Sequence, residues 1–298
     1  MTFRVRPRPA VLALLGLLLV PAARAAAPAP AGRRIPPGAP GPVQAPGGYF
    51  IPRGFSAEIV TIACDDEYRL AADYLKRARV NHRMPGVIFL HDEARDRHAF
   101  YPLTIQTAGR GCAVLAPDLR WFGENPSQKG NPPVTAARLS ASEWAAMLGD
   151  VRNAVSFLAI KNEVDGGRVA LVGVGVGANL ALMAAGEPWA AAVQCVIAVS
   201  PVLDAHGLAP LAAVGRIPKS KAVYLAARRE DAASRAACDA FLPLLRGPHE
   251  FFESESGQTG PAMLGQGLFQ KIPQWLHDAI VKPSLAEQGT RGGGSPPR

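Results

Sequence analysis

The residues best placed to do chemistry lie where a strand turns into a helix, in the run Arg168-Val-Ala-Leu-Val-Gly173-Val174-Gly175-Val176-Gly177-Ala178-Asn179-Leu180. A strand that enters glycine-x-X-x-glycine and leaves as a helix holds residue X on a strained turn, and a serine, cysteine or aspartate there can act as a nucleophile. Here X is Gly175. Glycine has no side-chain atom to attack a substrate or carry an acyl group. It does adopt the turn's backbone geometry without steric cost. The run therefore predicts the turn without its nucleophile. The same residues fit the G-x-G-x-x-A form of a phosphate-binding turn through Gly173, Gly175 and Ala178. No acid ends the next strand, which closes Ala198-Val199-Ser200-Pro201, and a lone glycine fingerprint is weak.

A second cluster is His91-Asp92-Glu93-Ala94-Arg95-Asp96-Arg97-His98. His91, Asp92, Glu93, Asp96 and His98 are residue types that ligate metals. Arg95 and Arg97 are interleaved with them, which suits a solvated charged loop, so no metal and no cofactor is expected. Ser200, Ser256, Thr259 and Cys238 are the candidates for a displaced nucleophile, and none has an evident base.

These residues need a scaffold. The β-branched, alternating segment 58–64 reads as a strand, with 70–76 as its hairpin partner. The run 86–90 is continuously apolar, as expected of a strand buried on both faces. Further strands are expected at 112–117, 168–173, 193–200, 221–227 and 249–254. Helices are expected near 99–109, 142–161, 177–186, 232–246 and 267–281. In the second of these Trp144, Met147, Leu148, Val151, Val155 and Leu158 form one apolar stripe, and Ser140 with Glu143 offers a capping box. The alternation predicts a three-layer α/β fold: a mostly parallel eight-stranded sheet with helices on both faces. Its functional groups belong at the carboxyl ends of the strands.

The chain has 298 residues, 48% of them hydrophobic, enough for one large domain. Arg4, Arg6 and Arg8 precede an apolar run from Ala10 to Val20 and an Ala23-Arg24-Ala25 site, so residues 1–25 read as a secretory signal peptide. That implies an exported protein, periplasmic or secreted, with no integral membrane segment after cleavage. Residues 26–48 are rich in Pro, Ala and Gly and read as a disordered spacer, and 282–298 read as a disordered tail. The folded domain is then 49–281. The net charge of +8 lies in the flanks: 1–48 hold six arginines and no acid, and 282–298 hold three cations and one acid, which leaves the domain neutral. A neutral domain excludes a nucleic-acid surface, which needs clustered cations. The four cysteines, Cys64, Cys112, Cys195 and Cys238, do not make a disulfide framework or a metal spacing.

The chain resembles the α/β-hydrolase superfamily, in its dienelactone-hydrolase and esterase branch, over residues 57–281. Four segments carry the resemblance. Val87-Ile-Phe-Leu-His91 with the following loop is similar to the oxyanion loop after strand 3. Asp118-Leu119-Arg120 with Gly123 is similar to the segment after strand 4. Residues 164–182 resemble the nucleophile elbow, and 223–241 resemble the segment that carries the acid. The resemblance places the nucleophile position at Gly175, the acid at Asp231 and the histidine at Gln258 or Thr259. It places the oxyanion donors at Val176 and in the loop around Asp92, where the family has glycine. His91, Glu93, Trp121 and Phe122 are expected to line the cleft. The loop 254–264 contains no histidine; His249 starts its strand and His277 lies far along the last helix. With nucleophile, histidine and oxyanion glycine all replaced, the expectation is a catalytically inactive pseudo-hydrolase, a binding or scaffold module for a small molecule or protein. The alternative is an active carboxylic-ester or peptide hydrolase with a non-standard nucleophile.

Overall fold

The computed structural model describes residues 43–44, 50–127, 129–131, 139–254, 264 and 267–282. Residues 1–25, expected from the sequence to be a signal peptide, most of the expected spacer at 26–48, the tail beyond Lys282, and Ser256, Gln258 and Thr259 lie outside them.

Eight strands form one sheet: β1 (Phe55–Ala63), β2 (Arg69–Arg77), β3 (Met84–Leu90), β4 (Ala113–Pro117), β5 (Val164–Val174), β6 (Val193–Val199), β7 (Ala222–Arg228) and β8 (His249–Ser254). The order across the sheet is β8-β7-β6-β5-β3-β4-β2-β1. Within this sheet, among the described residues, only the β1–β2 and β2–β4 pairings are antiparallel. The helices are α1 (Tyr101–Gly109), α2 (Ala141–Ala159), α3 (Val176–Ala185), α4 (Leu211–Val214), α5 (Ala232–Phe241) and α6 (Leu268–Leu276), the last running on as a π-helix to Val281. Among the described residues no helix is long and apolar enough to cross a membrane.

Every residue of β3 is buried. Met84, Ile88 and Leu90 point into one core with Trp144, Met147, Val151, Val155 and Leu158 of α2 and with Leu180 and Leu182 of α3. Val87 and Phe89 point into a second core with Leu103 of α1 and Ile272 and Trp275 of α6. Side chains alternate across a strand, so a central strand with a core on each face must be apolar throughout. The capping box at α2 is present: the Glu143 N–H donates to Ser140 Oγ, and the Ser140 N–H donates to Glu143 Oε2 at 2.6 Å. All four cysteines are buried and free.

Strands β3, β5 and β6 are adjacent and parallel, and their carboxyl ends release the three segments that matter here. These are the loop from His91, the turn at Gly175, and the loop from Ser200 to Leu208.

Candidate functional site

Gly175 has φ 56° and ψ −120° and stands between β5 and α3 as the helix N-cap. That backbone region is strained for any residue with a Cβ. Gly173 and Gly177 are required by close packing: a Cβ on Gly173 would come within 2.6 Å of Ala178 N, and one on Gly177 within 2.7 Å of His91 O. Gly175 N–H donates to Val199 O at 3.0 Å, and its carbonyl accepts from Ala178 and Asn179. The turn is thus tied to β6 and to α3 by the main chain alone. These contacts account for all three glycines without a bound phosphate.

The space that a side chain at 175 would use is filled by Asp92. An ideal Cβ on Gly175 would lie 2.6 Å from Asp92 Cγ and 3.2 Å from its Cβ. Asp92 is half-buried, and its Oδ1 accepts the Val176 N–H at 3.2 Å. Val176 N is the first amide of α3, where the N–H groups lack helical partners and the helix dipole favours negative charge. The sequence-expected Gly175, Val176 and Asp92 therefore come together, with a carboxylate on the amide that the resemblance assigns as an oxyanion donor.

Glu93 is exposed and hydrogen-bonds to His206 Nε2 at 2.5 Å. The His206 ring stacks on Trp144 at 4.2 Å between centroids, 5° from parallel. Phe122 packs against both His91 and Trp144, and Trp121 packs edge-on against Tyr68. His206 is absent from the sequence-based candidates. It sits at positive φ in the loop after β6, which Asn179 of α3 clamps: its amide donates to Val202 O and Leu208 O, and its Oδ1 accepts from Val202 N. The signal that points to it is topological, since this loop leaves the strand beside the elbow.

His91 is not a lining residue. It is fully buried; its Nε2 accepts the Leu119 N–H at 2.8 Å, and its Nδ1 lies 2.8 Å from Asp92 O. Those partners fix the neutral Nδ1–H tautomer. Burial holds its pKa below the usual 6.5. Arg97, expected in a solvated loop, is instead buried with its guanidinium against Asp118, Asp73 and Glu124. Asp118 is fully buried and also accepts the Arg97 and Glu124 N–H groups. Arg120 pairs with Asp150 and Asp66 over the Tyr68 ring. Asp96 caps the short helix at Arg97, and His98 faces Asp73 and Asp96. Among the described residues no group of three His, Cys, Asp or Glu side chains is placed to hold a metal.

Asp231 lies just past β7 and accepts the Ser234 N–H at 3.2 Å as the N-cap of α5. Gln258 and Thr259 lie outside the described residues. Of the displaced-nucleophile candidates, Ser200 is 5% exposed and Cys238 is fully buried in α5, with burial pushing its thiol up to about 12.

The profile of the family described as "Alpha/beta hydrolase family" matches residues 87–286. Among solved structures, the chain is similar to a dienelactone hydrolase from Anabaena variabilis at 16% identity and TM-score 0.61, covering 76% of this chain and 100% of that one. It is similar to an acetyl xylan esterase from Paenibacillus sp. R4 at 18% identity and TM-score 0.59, covering 74% and 84%. It is also similar to an esterase from Pyrococcus furiosus at 15% identity and TM-score 0.57, covering 76% and 91%. At such identities the likeness is one of fold. No curated protein sequence matches the chain at a significant level.

Proposed function

The chain belongs to the alpha/beta hydrolase family, and from that premise we propose that it is a non-catalytic member, a binding or scaffold module built on the fold's cleft. The observation that carries this reading is the elbow itself. Position 175 offers no nucleophilic atom, and the Asp92 carboxylate stands where one would project. A carboxylate on the Val176 amide opposes an oxyanion in two ways, by occupying the donor and by like-charge repulsion. The described partner of Asp231 is a helix cap. The ligand is a small molecule or a protein segment, held at the edge formed by Glu93, His206, Trp144 and Phe122. Function resides in the site rather than in the fold, so the esterase chemistry of the structural neighbours does not carry over.

The test is direct. The purified chain is expected neither to react with a fluorophosphonate nor to hydrolyse p-nitrophenyl acetate above the buffer rate. Turnover that disappears in Ser200→Ala or Cys238→Ala would instead establish a hydrolase with a non-standard nucleophile and overturn the reading. We also propose export with cleavage after Ala25, which the arginine-flanked apolar run supports. N-terminal sequencing of the mature protein should begin at Ala26.

A further inference from the structure

The eight-stranded sheet ends on two edge strands, β8 and β1. A sheet edge presents a row of unpaired N–H and C=O groups, and proteins blunt it with short strands, charges, prolines or bulges. β8 is six residues long and carries Glu250 and Glu253. β1 is nine residues long, from Phe55 to Ala63, with no proline and one charge, Glu58. Its pairing with β2 runs from Phe55 opposite Arg77 to Ala63 opposite Arg69 without a bulge. Residues Ser56 to Ile59 are exposed, so neither helix layer overhangs this edge. Ile59, a large apolar side chain, is 43% exposed.

The register shows which main-chain groups point outward. The Ala78 N–H donates to Gly54 O and the Cys64 N–H to Tyr68 O, each at 2.8 Å, and both pairs continue the β1–β2 register. Hydrogen-bonded and non-hydrogen-bonded pairs alternate along an antiparallel ladder. The even-numbered residues of β1 therefore direct their main-chain groups to β2. Phe55, Ala57, Ile59, Thr61 and Ala63 turn theirs to the open edge, over a length of about 30 Å.

We propose that this edge is the interface of a symmetric dimer, in which β1 pairs antiparallel with β1 of a second copy and joins the two sheets into one. Outward groups must meet outward groups, so odd-numbered residues stand opposite odd-numbered ones. Pairing centred on Ile59 uses the whole strand: Phe55 lies opposite Ala63, Ala57 opposite Thr61, and Ile59 opposite itself on the two-fold axis. Glu58 then faces Val60 of the second copy rather than its own counterpart. Moving the axis to residue 58 would set two Glu58 carboxylates directly opposite each other, which is destabilising. Moving it to residue 60 shortens the overlap. The charges beyond the strand ends complement each other in the register centred on Ile59. Exposed Arg53 falls opposite exposed Asp65, whose carboxylate also reaches Arg152 of its own chain, and the two-fold repeats the Arg53–Asp65 pair at the other end. A self-complementary patch of this kind closes a dimer and leaves no free edge for a third copy.

The experiment is sedimentation equilibrium of the mature chain up to about 100 micromolar, high enough to populate a dimer of micromolar affinity. The wild type is expected at twice the chain mass. Ile59→Lys and Thr61→Pro, each natively folded by its melting curve, are expected as monomers. Ile59→Lys sets like charges on the axis. Thr61→Pro removes an outward N–H and spares the β1–β2 bonds. The register has its own test. With oxidised glutathione, Ile59→Cys should form a covalent dimer, because opposed residues lie about 5.5 Å apart at Cα, within disulfide reach. Ala57→Cys should not, since the two copies of residue 57 lie about 15 Å apart. The four native cysteines are buried and add no background. A wild type that stays monomeric, or a dimer that survives both Ile59→Lys and Thr61→Pro, overturns the proposal. A monomer whose amides at 57, 59 and 61 exchange slowly only while residues 26–48 are attached also overturns it, and gives the edge to the chain's own proline-rich segment. Cross-linking of Ala57→Cys in preference to Ile59→Cys overturns the axis at Ile59.

Discussion

The overlap between a side chain at 175 and Asp92 can be measured as a coupling energy. Gly175→Ala adds a single Cβ at φ 56° and ψ −120°. Placing a non-glycine residue in that backbone region costs about 1–3 kcal/mol. The new Cβ also falls 2.6 Å from Asp92 Cγ, and overpacking of that kind costs a further ~1–3 kcal/mol. In an Asp92→Gly background the second cost vanishes and the first remains. The destabilisation should therefore be about 2–6 kcal/mol with Asp92 present and about 1–3 kcal/mol without it. The difference, about 1–3 kcal/mol, exceeds the ~0.5 kcal/mol within which independent sites add. For a domain of this size each kcal/mol shifts Tm by about 2–4 °C. Urea unfolding of wild type, both single variants and the double variant gives the cycle. Equal destabilisation by Gly175→Ala in both backgrounds would mean that Asp92 swings aside freely, and the argument from its position would fail.

Three further outcomes follow from the same contacts. Arg97→Met should cost about 3–5 kcal/mol in urea unfolding, because it strands the fully buried Asp118 carboxylate, and Arg97→Lys should not restore it, since one ammonium cannot reach Asp73, Asp118 and Glu124 together. His91 is neutral when folded, with its pKa depressed by burial, whereas the unfolded chain takes up the proton near 6.5. Its contribution to stability is whole above pH 6.5 and is lost as pH falls below it, by at most ~1.4 kcal/mol per pH unit, and that slope should be missing from His91→Asn. The thiols should be inert in the native fold. Burial pushes Cys112 and Cys238 up to about 12 and raises Cys64 and Cys195 as well, so a disulfide reagent at pH 8 should titrate thiols only after denaturant is added; fast native-state labelling would contradict the packing.

The fold was legible because burial imposes periodicity. The run at 86–90 had to be apolar once it lay between two cores, and the stripe on α2 from Trp144 to Leu158 had to repeat at helical steps. The elbow was legible because two of its glycines answer to backbone packing, which leaves a local pattern. The rest of the site was not, because its contacts join distant segments with no motif of their own. His206 acquires meaning only when the loops after β3 and β6 meet. Arg97 looked like one charge among many, and its burial depends on Asp73, in the middle of β2, and Asp118, just past β4, converging on it. His91 looked like a cleft residue, yet the Leu119 amide claims its outer nitrogen.

Gly175 also changes the energetics of the turn. A serine at φ 56° and ψ −120° would hold about 1–3 kcal/mol of backbone strain, which is tolerable where a nucleophile must project from a strand end. Glycine holds none, so the turn relaxes while its main-chain bonds to Val199, Ala178 and Asn179 persist. Asn179 then passes that order on to the His206 loop. The elbow thus works as a structural junction that needs no catalytic group, and its glycine makes room for Asp92. Restoring a serine would reintroduce the strain and collide with that carboxylate in one step. Placing a nucleophile at 175 by Gly175→Ser alone is therefore opposed twice, and any variant that carries one there must begin by moving Asp92.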